Sequence, residues 1–81
     1  MKFLLLWSHK GHEYHFETDK LDDLGDPLRQ IYANREDKAN QTSIPRIFHG
    51  ELMKITPIFK EAERDGEISK QVLDKFQIED I

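Results

Sequence analysis

Residues 13–18, Glu-Tyr-His-Phe-Glu-Thr, alternate between polar and aromatic side chains. A period of two puts successive side chains on opposite faces of a strand. The stretch before it, 2–8, Lys-Phe-Leu-Leu-Leu-Trp-Ser, is almost continuously apolar and also has strand length. His9-Lys10-Gly11-His12 separates the two. With Lys10-Gly11 as a two-residue loop, Gly supplying positive φ, Trp7 faces Tyr14 and Leu5 faces Phe16. Phe3, Leu5, Trp7, Tyr14 and Phe16 then share one face. Ser8, Glu13, His15 and Glu17 fall on the other, together with Leu4 and Leu6, so that side is expected to be partly covered too.

Periodicity then changes. Leu21, Leu24, Leu28, Ile31 and Tyr32 recur at helical spacing, interrupted by Gly25-Asp26-Pro27. Asp26 suits an N-cap and Pro27 a first helical residue, which predicts a main helix over 27–37 after a looser helical turn at 19–24. Residues 36–43 have little to bury and read as a flexible loop. Ile44 to Ile55 reads as a second, shorter hairpin bent at His49-Gly50, with Pro45 confined to an edge strand or a strand's first residues. Thr56-Pro57 opens another helical segment that Gly66 stops. Ser69 is expected to cap a last short helix whose stripe is Ile68, Val72, Leu73 and Phe76, and 77–81 reads as a frayed tail. The order is ββαββαα: an α+β fold in which antiparallel hairpins pack on one main helix.

The chain of 81 residues is one domain, 1–81, with no room for a second core. A domain this short buries only about 60% of its unfolded surface, so its stability margin is thin. With no cysteine it has neither a disulfide nor a thiolate zinc site. Oligomerisation, or a partner covering apolar surface, is therefore an open route to added stability. The apolar run Phe3–Trp7 is shorter than the roughly 7–15 residues of a secretory leader's core, and the expected compartment is the cytoplasm.

Basic and acidic side chains number 12 and 16, a net charge of −4. Each half of the chain, 1–40 and 41–81, carries 6 basic and 8 acidic groups, which sum to those totals. Nucleic-acid affinity rests on clustered Lys and Arg, and no such cluster exists here.

The remaining candidate chemistry is sparse. His9, His12 and His15 stand three residues apart, but the hairpin register pairs His9 with His12 and turns His15 to the opposite face. Two imidazoles make half of a tetrahedral zinc site, so His9 and His12 could hold a metal only across a dimer contact. The plainer reading of the pair is a hairpin tip. Ser8, Ser43 and Ser69 have structural explanations, and none sits in a nucleophile turn. Asp19-Lys20-Leu21-Asp22-Asp23 lacks an acidic residue at the third position of a calcium loop. The aromatic face could stack bases, but Phe3, Trp7, Tyr14 and Phe16 are the largest side chains available for filling a core. What is left is surface. The expectation is a small non-catalytic accessory protein with no cofactor that binds another protein, or itself, in one of two ways. One is through the C-terminal residues Ile68, Val72, Leu73 and Phe76, a stripe that alternatively closes its own domain. The other is through an exposed sheet edge, which the short second hairpin offers where it ends the sheet.

Overall fold

The computed structural model of the chain describes residues 2–50 and 67–79. Strands β1, Lys2–His9, and β2, His12–Thr18, form the expected hairpin. Lys10 and Gly11 have φ of 51° and 80°, the two positive values that a type I′ turn needs to match strand twist. The register follows from that turn: His9 faces His12, Trp7 faces Tyr14 and Leu5 faces Phe16. Strand β3, Arg46–Gly50, pairs antiparallel along the other side of β1, Leu5 against Ile47 and Leu4 against Phe48. The order across the sheet is β2-β1-β3. The central position of β1 accounts for its apolar run, because a middle strand is flanked on both edges and here buried on both faces. Leu4, Leu5 and Leu6 are all buried, as is Phe48 beside Leu4. Cover on the second face, expected from Leu4 and Leu6, is thus present.

Two helices complete the described fold, α1, Gly25–Arg35, and α2, Ser69–Lys75. The chain is α+β. Leu24, Leu28 and Ile31 from the first helical region, Val72 from α2, and Leu5 and Ile47 from the sheet form one core. Pro45 is buried immediately before β3, the strand-entry position expected of it. The return arm at 51–55, the helix start at Thr56-Pro57 and the stop at Gly66 lie outside the described residues.

Four expectations need correction. The bend at His49-Gly50 is absent, since both residues belong to β3 and pair with Phe3 and Lys2. Ladder hydrogen bonds to β1 decide there, not the local turn composition. Helix α1 begins at Gly25 and not at Pro27, because a 3-10 turn at Leu21–Leu24 runs directly into it. Pro27 still falls in the first turn, where backbone N–H groups have no intrahelical acceptor and its missing hydrogen costs nothing. Asp26 is accordingly inside the helix, 3.7 Å from Arg29. Ser69 is the first residue of α2 and not its cap, which is Ile68. Its hydroxyl accepts from the Ile47 N–H at 2.8 Å and donates to Glu67 at 2.7 Å, tying the helix to β3. Tyr14 and Phe16, expected in the core, are exposed.

Residues 77 and 78 cap the end of α2. Gln77 takes a left-handed φ of 57°, the Ile78 N–H donates to the Leu73 carbonyl at 2.9 Å, and the Gln77 N–H donates to Asp74 at 3.1 Å. These are the two reverse bonds of a Schellman cap, and they turn Ile78 back against the core beside Leu73. Residues 36–43 include a 3-10 turn at Lys38–Asn40 and dock on the hairpin tip. Lys10 N–H donates to Asn40 at 3.0 Å, Ser43 N–H to Ser8 at 2.9 Å, and the Ser8 N–H to the Ser43 hydroxyl at 2.8 Å.

Candidate functional site

The most unusual surface belongs to β2. Tyr14 and Phe16, expected in the core, are 43% and 36% exposed. Parity assigned them to the right face, and their partners Trp7 and Leu5 do turn toward the helices. Face and burial are different things, however. The core lies over β1 and β3, the strands that supply Leu5 and Ile47, whereas β2 contributes no member to it. Thr18 at the strand's end is the buried exception, held by its hydroxyl donating to Asp23 at 2.7 Å.

Three properties converge on this strand. First, among the described residues β2 is an edge, and every hydrogen bond it makes within the sheet goes to β1. In an antiparallel hairpin closed by a two-residue loop, hydrogen-bonded pairs alternate starting from the pair that flanks the loop. His12, Tyr14, Phe16 and Thr18 therefore bond inward to β1, and the N–H and C=O groups of Glu13, His15 and Glu17 point outward. Second, the helix-side face of the edge carries aromatic rings: Tyr14 is stacked on Trp7 with centroids 5.7 Å apart and an interplanar angle of 21°. Third, the opposite face carries Glu13, His15 and Glu17 in a row. Among the described residues no cation pairs with either glutamate; Lys2 is instead 3.6 Å from Asp19. A neighbouring strand of the sequence could have exposed this site: continuous leucines mark β1 as central, and alternation of charge with ring marks β2 as peripheral.

The C-terminal stripe lies elsewhere. Val72 is buried in the core, and Ile68, Leu73 and Phe76 pack half-buried around it. Phe76 lies against Gly25, with the Arg29 guanidinium 5.7 Å above its ring. The four side chains are therefore together, and they face their own domain.

Register places His9 opposite His12, and His15 on the other face. The His9 Nδ1 is 2.8 Å from the Thr42 hydroxyl, a bond that fastens the 36–43 loop to the hairpin. No group of three metal-ligating side chains exists among the described residues. An open groove of about 390 Å³ between α1 and the C-terminal tail is lined by Arg29, Tyr32, Arg35, Glu36, Ile78 and Glu79, charges of both signs. Near β3, Arg46 donates to Glu67 through Nε and Nη2 at 3.1 and 2.9 Å. Partial burial pushes the Glu67 carboxyl up, but the Ser69 hydroxyl and the Arg46 guanidinium outweigh it and hold the group below its ordinary range. That cluster closes the β3 side of the sheet, where Glu67 also bridges Phe48. Among the described residues no helix is long and apolar enough to cross a membrane. No protein-family model, curated protein or solved structure matches the chain.

Proposed function

We propose that the protein is a non-catalytic, cytoplasmic binding module whose β2 edge accepts an extended segment of another protein as an additional strand. One observation carries the reading: β2 has outward-pointing backbone groups at Glu13, His15 and Glu17 beside the exposed rings of Tyr14 and Phe16. Backbone groups give an added strand its affinity, and side-chain contacts on alternate positions give it specificity. β3, at the other edge of the sheet, is less available, since Glu67 and Ile68 already bridge to it. The C-terminal stripe of Ile68, Val72, Leu73 and Phe76 is the lesser alternative, because Val72 is already buried in the core and the other three pack against it.

His15→Pro tests the reading. Proline removes the outward N–H at the centre of the edge while leaving the inward bonds to β1 in place. A protein captured by the wild type from its native extract, then purified, is expected to slow amide hydrogen exchange along residues 12–18. It is expected to lose binding to His15→Pro. Protection confined to α2, or unchanged binding to His15→Pro, would refute the edge reading.

A further inference from the structure

The charge row on β2 specifies what kind of strand can dock. We infer that the edge selects a segment in which cationic side chains alternate with apolar ones, in the pattern cation-apolar-any-apolar-cation. The inference rests on the edge reading above and adds the chemistry of the partner.

A strand added to β2 places a residue directly opposite each of Glu13, His15 and Glu17, with its side chain on their face. Between these come residues opposite Tyr14 and Phe16, on the face of the exposed rings. The two faces of the incoming strand therefore meet different surfaces. One meets carboxylates four residues apart, exposed or partly so and without a cation among the described residues. The other meets aromatic surface 43% and 36% exposed, continuous through Tyr14 with the Trp7 ring. Lysine or arginine satisfies the first, and valine, isoleucine or leucine the second.

The same geometry disfavours a second copy of the chain in the symmetric register about His15. If two β2 strands paired antiparallel about His15, keeping their faces aligned, Glu13 of each would stand opposite Glu17 of the other. Like charges directly across a ladder are destabilising. The glutamates thus act against edge-to-edge self-association, the usual hazard of an open strand, while favouring a basic partner.

Trp7 is the only tryptophan, and its contact with Tyr14 makes its fluorescence a reporter of this face. Three capped peptides test the inference on the intact protein: Thr-Lys-Val-Thr-Val-Lys-Thr, its Gln-for-Lys version and its Glu-for-Lys version. Binding is followed by Trp7 fluorescence and by amide shifts of residues 12–18. The lysine peptide is expected to bind on the order of tenfold more tightly than the glutamate peptide, with the glutamine peptide between them. The preference should shrink as salt is raised, and the Glu13→Lys, Glu17→Lys double variant should reverse it. Equal binding of all three peptides, with shifts along β2, would overturn charge selection and leave edge docking standing. Absence of β2 shifts with every peptide would overturn both. Tighter binding of the lysine peptide that survives unchanged in the double variant would also overturn the inference, because the cations would then be recognised elsewhere.

Discussion

Whether α2 belongs to the core or is held in reserve for a partner can be settled at one glycine. Gly25 lies under the ring of Phe76, and a Cβ added there would sit 3.1 and 3.3 Å from two ring carbons. It would also lie 3.0 Å from the Arg29 guanidinium, but that is the end of a flexible side chain and can move at little cost. The ring cannot move so freely, because Phe76 packs against the shared core. Overpacking of this kind costs about 1–3 kcal/mol, against a gain of up to about 1 kcal/mol for replacing Gly by Ala in a helix. Gly25→Ala should therefore be neutral to destabilising by about 2 kcal/mol. Phe76→Ala alone should cost about 2–3 kcal/mol, less than the 3–5 typical of a fully buried ring. In the Phe76→Ala background the obstacle is gone, and Gly25→Ala should become stabilising by up to about 1 kcal/mol. The expected coupling, about 1–3 kcal/mol, is a large part of the roughly 4–12 kcal/mol available to a chain of this length. Urea denaturation of the four proteins measures it, and each kcal/mol also moves the melting temperature by about 4–8 °C. If Gly25→Ala has the same effect in both backgrounds, the packing of α2 described here is refuted, and its apolar stripe returns as the leading docking surface.

Gln77→Gly should stabilise the protein by about 1 kcal/mol in the same denaturation experiment, because Gln77 holds the left-handed conformation at the end of α2 that glycine adopts without strain. The depressed carboxyl of Glu67 contributes stability that is present above the ordinary glutamate range and lost as pH falls through the lower folded value. With both partners about 40% exposed, that contribution should be no more than about 1 kcal/mol, read as the difference between wild type and Glu67→Gln across an acid titration. A zinc titration of wild type against His12→Ala should show no difference in melting temperature, since His9 already engages Thr42 and the two imidazoles lack further ligands among the described residues.

The hairpin was legible in the sequence because everything that sets it is local. Period-two alternation fixes the faces, Lys10-Gly11 fixes the turn, and the two together fix the register. Helix α1 was legible to within two residues, since Leu24, Leu28 and Ile31 repeat at its period. Its start shifted because a 3-10 turn can feed a helix without a polar cap. What escaped local reading was the site. Alternation shows which face Tyr14 and Phe16 occupy, but only the position of β2 in the sheet decides whether that face is covered. That position depends on β3 passing beyond β2 to pair with β1, a contact between residues forty or more apart in the chain. The sequence nevertheless carries a trace of it. Three successive leucines in β1 suit a strand covered on both faces, as the centre of a sheet is, whereas two glutamates and a histidine on one face of β2 suit a strand with water beside it. Read together, the two strands of the hairpin imply an asymmetric sheet before the third strand is known. The open edge and its charges then follow from one cause: among the described residues, β2 is the strand that adds no side chain to the core.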